Sequence, residues 1–365
     1  MRIISKIFSL IVLFVFMSGT YVLANETPTT SEKPTEEVNV KEFILEHLAD
    51  SYEWHITKVG DTHIAIPLPV IVYSSTTGWH IFSSSVFHHD PIHEGFYIAH
   101  EGEYKGKIVE KNALGAEIRP FDISITKVAF SLLFNSALLI LIIMFVARSY
   151  KKGVFESKKG FLGFMEMFIM SVNDDVIKPC IGKDYKKFSP YLLTVFFFVF
   201  INNLMGLIPL FPGGANVTGN IAITFVLAIC TFVIVQIFGT KEYWKEIFWP
   251  DVPMWLKLPI PLMPVIELVG VFTKPFALMI RLFANILAGH SIVLGLTALV
   301  FVTVSLGQAM NASMTVVSVI FTVFINLVEL LVAYIQAYVF TMLSAVFIGL
   351  ARVEPHHSKA PEEGH

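Results

Sequence analysis

FTKPFALMIRLFANILAGH occupies residues 272–290, and its reading decides what kind of protein this is. Lys274 and Arg281 stand seven residues apart in a run that is otherwise almost wholly apolar. A guanidinium stays protonated at any accessible pH, and a charge at the centre of a bilayer costs about 3 kcal/mol or more. An arginine kept in such a place is read first as functional. The run around it, Pro264 to Leu306, is 43 residues long, and a second, Ala312 to Leu350, is 39. At ~1.5 Å per residue each helix is roughly twice as long as the ~30 Å hydrocarbon core is thick. Each must be strongly tilted or broken. Gly270, Pro275, Gly289 and Gly295 permit bends, so periodicity leaves both readings open.

The rest of the chain agrees with a membrane setting. Of its 365 residues 55% are hydrophobic and 15% charged, against about 25% charged in soluble domains; the mean hydropathy is +0.67. A net charge of −3 argues against a nucleic-acid partner. Cys180 and Cys230 are the only cysteines, which leaves no disulfide framework and no CxxC metal site. Val128 to Ala147 is a charge-free run of twenty residues, enough for one span. Pro190 to Leu210 and Ile221 to Gly239 are two more, joined by the glycine-rich turn FPGGANVTG. Residues 161–177 carry acidic breaks and suit a helix lying on the membrane better than one crossing it. The expected fold is an all-α polytopic membrane protein. It has about five membrane-crossing helices, two of them long, plus a surface helix and a small exported N-terminal α/β-like extension.

Orientation follows from the loops. Arg148, Lys151, Lys152, Lys158 and Lys159 follow the first span, and Lys241, Lys245 and Lys257 follow the third. The positive-inside rule puts both loops in the cytoplasm. The N-terminus reads as a signal peptide over residues 1–24: Arg2 and Lys6, an apolar stretch from Ile7 to Met17, and a small-residue cleavage site at Ala24. Residues 25–122 are then the exported extension, 123–352 the membrane domain and 353–365 a cytoplasmic tail. Within the extension, residues 25–37 are a polar linker and 38–50 a short amphipathic helix. The runs between 62 and 110 are strand-like. The extension holds eight of the twelve histidines. His88, His89 and His93 in HHDPIH could ligate a metal, but with no second cluster they read as solvated surface histidines; neither a metal nor a cofactor is expected.

The polar residues inside the membrane are patterned. Glu267, Lys274 and Arg281 recur every seven residues and form one slowly drifting stripe, with Asn285 nearly on it. His290, nine residues past the arginine, falls on the opposite face. In the last segment Glu329 and Gln336 are again seven apart. If the two long segments form an antiparallel hairpin turning near residues 307–313, His290 and Glu329 lie at one depth, and Arg281 and Gln336 at another. Imidazole and a buried carboxylate can relay protons. Arginine cannot, but it can hold a passing carboxylate ionised and repel protons. Lys274 reads more simply as a snorkelling or Glu267-paired side chain. Asn202, Asn203 and Gln236 read as interhelical hydrogen-bonding residues.

FTKPFALMIRLFANILAGH, NLVELLVAYIQAYVFTML and NNLMGLIPLFPGGANVTGNIAI together resemble the a subunit of the F-type ATP synthase membrane sector, over about residues 120–352. The resemblance implies one upright span, a surface helix, a two-span hairpin and two long tilted helices cradling a ring of c subunits, with a b subunit stalk as a further partner. It implies that Arg281 meets the essential carboxylate of each c subunit, and that His290 and Glu329 belong to the non-cytoplasmic half-path. Glu267 would belong to the cytoplasmic half-path, and Asn285 and Gln336 would flank the arginine. Some relatives carry the acid and the histidine in the opposite order, and others carry an acid where this chain has Gly206. The expected function is proton translocation coupled to ring rotation in a bacterial inner membrane, with the extension periplasmic and the C-terminus cytoplasmic. Nothing resembles a nucleotide-binding P-loop, so the chain is not expected to be catalytic by itself. The rival is a self-contained proton-coupled secondary transporter, which would show internal repeats and a discontinuous-helix substrate site.

Overall fold

The computed structural model describes residues 49–59, 62–99, 101–111, 115–150, 159–208, 211, 213–249, 262–304 and 307–352. The signal peptide, the polar linker, the amphipathic helix as far as residue 48 and the C-terminal tail all lie outside the described residues.

The extension is strand-rich. Alternating apolar residues give β1 (Glu53–Val59), β2 (Thr62–Pro67), β3 (Pro69–Ser74), β4 (Gly78–Ser83), β5 (Phe96–Ile98), β6 (Ile108–Lys111), β7 (Glu117–Ile118) and β8 (Phe121–Asp122), with one helical turn, α1 (Val86–His89). They pair antiparallel as β1-β2, β4-β3-β8 and β5-β6-β7. β1 precedes the strand-like runs read from the sequence and was not among them. Tyr52, Val70, Val72, Phe96 and Ile108 form the buried core, with Phe82, Phe87 and Ile98 packed against it. The Tyr52 hydroxyl donates to Asp122 at 2.5 Å. Burial, and then this carboxylate, push the phenol far above its usual range, so it remains a donor. The other face of the sheet leaves Tyr73, Trp79, Ile81 and Phe121 exposed. His80 bridges Glu94 at 2.5 Å and Thr77 at 2.8 Å, and the His93 ring stands edge-on to Phe82.

Beyond residue 126 the apolar runs become helices, because a chain in hydrocarbon must satisfy its backbone internally. They are α2 (Lys127–Tyr150), α3 (Phe161–Ser171), α4 (Lys178–Ile181), α5 (Tyr185–Gly206), α6 (Ile221–Phe238), α7 (Lys241–Phe248), α8 (Leu262–Thr303) and α9 (Gln308–Ala351). A π-helical stretch, Val172–Ile177, and a single 3₁₀ turn, Gly182–Asp184, join α3 to α5, so the run read as a surface helix continues helically towards the second span. Among the described residues, five helical segments are long and apolar enough to cross a membrane. The long runs are not broken: α8 and α9 are continuous over 42 and 44 residues, Pro275 included. That removes the discontinuous helix a secondary-transporter site calls for.

The chain divides into two compact units. The first comprises Met1–Leu138, Asn202–Val217 and Leu287–Leu331; the second comprises Leu139–Ile201, Thr218–Ile286 and Val332–His365. In the first, the start of α2 is capped by the strand module: the Lys127 N–H donates to the Ser51 carbonyl at 2.8 Å and the Val128 N–H to the Asp50 carboxylate at 3.1 Å. These are the donors a helix start leaves without intrahelical partners. The Asn135 amide donates to the Asn202 side-chain oxygen at 3.0 Å, joining α2 to α5 with both residues 1% exposed. Asn202→Leu is expected to lose about 1–2 kcal/mol, read as a lower midpoint for thermal disassembly in detergent. Adding Asn135→Leu should cost less than a second such loss, since no orphaned amide is left behind.

In the second unit Thr224, Ala228, Thr231 and Val235 make a buried stripe of mostly small residues on α6 that allows close helix approach. Thr231 lies 2.9 Å from the Tyr191 hydroxyl and 3.4 Å from Ser344. Phe168, Phe200 and Tyr334 close a second aromatic contact, with ring centroids 5.6–6.1 Å apart.

Candidate functional site

The first unit holds the paired acid and base. α8 and α9 turn back at Gly307, whose φ of +105° is strained for any residue with a side chain. Next to the turn, Thr303 meets Asn311 at 3.2 Å and Ser318 donates to the Leu296 carbonyl at 2.8 Å. Further along the two helices, His290 Nδ1 lies 3.5 Å from Glu329 Oε1, with side-chain exposures of 19% and 10%. The pairing expected from equal distance to the turn is therefore present. The turn itself falls at the first edge of the expected 307–313 stretch, with α9 already helical from Gln308.

Two glycines make the room. A Cβ at Gly289 would overlap the Glu329 carboxylate oxygen and lie 3.0 Å from its carboxyl carbon. The Glu329 head thus rests on the backbone of α8, one residue before the histidine it faces. A Cβ at Gly206, the end of α5, would lie 3.7 Å from His290 Nε2 and 3.6 Å from the Ala215 carbonyl. Gly206 is thus a direct neighbour of the imidazole.

The other singled-out residues belong to the second unit. Arg281 is exposed on the isolated chain, and Asn285, Gln336 and Glu267 are half-buried. Among the described residues Arg281 and Gln336 share no hydrogen bond, so this pairing differs from the His290–Glu329 one. Lys274 is not paired with Glu267; its ammonium lies 5.9 Å over the Phe347 ring. It lines a cavity of about 20 Å³ together with Thr231, Gln236, Tyr243 and Leu278, room for about one water. Gln236 donates to the Tyr243 hydroxyl at 3.2 Å, and its own side-chain oxygen has no partner among the described residues. Burial pushes the Tyr243 phenol up, the Gln236 bond opposes this, and the Glu267 charge adds to it. Glu267 therefore acts electrostatically on the α7 tyrosine beside this cavity.

A continuous membrane helix carrying an exposed arginine, and a buried His–Glu pair held by two glycines, can now be set against known proteins. A profile of the family described as ATP synthase A chain matches residues 129–349.

The chain belongs to the ATP synthase A chain family.

It is 45% identical over 245 residues to ATP synthase subunit a 2 of Chlorobaculum tepidum, covering 64% of this chain and 65% of that protein, just under two thirds of its length. It is 40% identical over 285 residues to ATP synthase subunit a of Chlorobium phaeobacteroides, covering 76% of this chain and 75% of the relative. Over 248 residues it is 40% identical to ATP synthase subunit a of Chloroherpeton thalassium, with 66% and 70% covered. Residues 43–124 match a domain family of unknown function (DUF8433). As an A-chain member with five apolar helices, the protein is a multi-pass membrane protein of an F-type ATP synthase membrane sector.

Several contributors were not read from the A-chain sequence. Gly289 and Gly206 had a sign in the AGH and NNLMG motifs, but which side chain each makes room for is a tertiary matter. Asn135, Tyr243 and Lys127 carried no sign beyond being polar at or near a span.

Proposed function

We propose that this chain conducts protons along two half-paths against a ring of c subunits, with His290 and Glu329 as the relay of the outer half-path. As an A-chain member it is the ion-translocating subunit and not itself a catalyst. The observation that carries the reading is the 3.5 Å approach of an imidazole and a carboxylate within helices made for a bilayer. Both groups are nearly dry, and an imidazole and a carboxylate at this separation can each take up and pass on a proton.

A proton from outside passes Glu329 and His290 and neutralises a ring carboxylate. The neutral site can enter lipid, and the ring turns. Near Glu267 the proton leaves to the cytoplasm. Arg281 stands between the two half-paths in helix order: it cannot relay, it repels protons, and it keeps the returning carboxylate ionised. Asn285 and Gln336, one turn beyond the arginine and seven past Glu329, supply hydrogen bonds at that crossing. Each charge carried across 100 mV contributes about 2.3 kcal/mol, and the b subunit stalk holds this chain against the torque. The strand module faces the periplasm and the loops after the first and third spans face the cytoplasm.

The test is proton conduction by inverted vesicles carrying Glu329→Gln or His290→Ala at matched assembly. Each is expected to slow ATP-driven acidification by about tenfold or more. The double variant should be little worse than the poorer single, because the two groups act in series. Wild-type rates in both singles would overturn the relay.

A further inference from the structure

The strand module has no part in the path described above, yet its contacts lead to the same pair. The buried Trp54 of β1 stands edge-on to Phe130 of α2, with centroids 6.0 Å apart, and to Phe211 of the α5–α6 connection, 5.2 Å away. That connection carries Ala215, whose carbonyl and the His290 Nε2 atom both border Gly206. One turn before Phe130 is Lys127. Its backbone is bonded to Ser51, the next N–H is bonded to the Asp50 carboxylate, and its ammonium lies 5.7 Å over the Trp54 ring. Trp54 thus touches the Lys127 ammonium on one side and, through Phe211, the connection that borders His290 on the other.

We propose that the strand module forms the outer mouth of the proton path, holding the Lys127 ammonium between Asp50, Trp54 and the His290–Glu329 pair as a fixed positive charge. This rests on the proton-path reading above and extends it to the module. The charged group in contact with the imidazole is Glu329 from α9; on the module side stand Lys127 of α2 and Asp50, which accepts from the next N–H, and at Gly206 and Ala215 the neighbours are backbone. A cation at the mouth disfavours a second positive charge on the imidazole and raises the cost of bringing any cation there, protons included. It therefore sets how acidic the outer solution must be before the pair is loaded, and it favours onward release to the ring. Asp50 offsets part of that charge. Trp54 keeps the lysine in place by a cation–π contact and props the connection that borders the histidine.

The experiment uses the whole ATP synthase in liposomes with its ATP-forming head outward, so that the outer mouth faces the lumen. ATP synthesis is started by an acid–base jump in which lumenal pH is stepped while external pH and the diffusion potential are held fixed. Lys127→Met is expected to move the lumenal pH midpoint up by about half to one unit, the order expected of one nearby charge. Asp50→Asn is expected to move it down, because the lysine is then uncompensated while asparagine still accepts from the Val128 N–H. Lys127→Arg keeps the charge and should keep the midpoint. Opposite shifts are the signature of electrostatics, since structural damage lowers the maximal rate without reversing sign. Midpoints that stay together in an active enzyme, whatever the maximal rates, overturn this inference alone. If Lys127→Met fails to assemble, an unmoved midpoint in Asp50→Asn has the same force. A wild-type complex that makes no ATP under any jump overturns the proton-path reading and this inference with it.

Discussion

Replacing Arg281 by glutamine is expected to abolish ATP-driven acidification of inverted vesicles, to below about a hundredth of the wild-type rate, while the complex still assembles. The residue is exposed on the isolated chain, so its charge is not consumed by a partner among the described residues and is available to a group outside the chain. Removing one member of a desolvated charge pair costs about 3–5 kcal/mol, which is a factor of a hundred or more in any step that depends on it. Glutamine is near in length and keeps hydrogen-bonding capacity, so the change isolates the charge. Arg281→Lys should also fail, because an ammonium can shift its proton affinity and deprotonate where a guanidinium cannot. Co-purification of the ring with each variant establishes assembly. Undiminished pumping by an assembled Arg281→Gln complex would remove the arginine from the path.

Gly289→Ala is expected to make the helix more stable and the enzyme about tenfold slower or worse. Alanine in a helix interior is favoured over glycine by about 1 kcal/mol, so α8 gains. The new methyl, however, would occupy the space of the Glu329 carboxylate. That carboxylate ends a flexible side chain and can swing away at little cost, so the fold survives and the 3.5 Å approach to His290 does not. Gly289→Leu should extinguish transport. Combining Gly289→Ala with Glu329→Asp, which withdraws the head by one methylene, should recover part of the rate. Thermal disassembly and vesicle acidification read the two signs separately. An alanine variant that pumps at the wild-type rate would show that the close seat of Glu329 is not needed.

The two substitutions also mark where the sequence is informative. Arg281 is conspicuous in one dimension because its energetic anomaly is local: a charge in an apolar run announces itself whatever surrounds it. Gly289 is anomalous only through Glu329, forty residues later. Likewise the seven-residue spacing of Glu267, Lys274 and Arg281 is legible, whereas Lys274's place over Phe347 rather than beside Glu267 depends on how α8 is rotated against α9. β1 was missed although EWHITKV alternates, because a lone alternating run is convincing only once β2 pairs with it.

The apolar runs by themselves determined the number of candidate spans, their approximate ends and the membrane setting. Hydrocarbon thickness and the cost of a buried charge act on each segment independently of its neighbours. The hairpin geometry even yielded the His290–Glu329 pair, since equal distance from a turn means similar depth. Tertiary structure alone decided that Gly289 and Gly206 make room for this pair, that Asn135 meets Asn202, and that the strand module caps α2 and brings Asp50 and Trp54 to Lys127. Such contacts depend on the rotation and offset of each element about its own axis, and those are settled by side chains far apart in the chain.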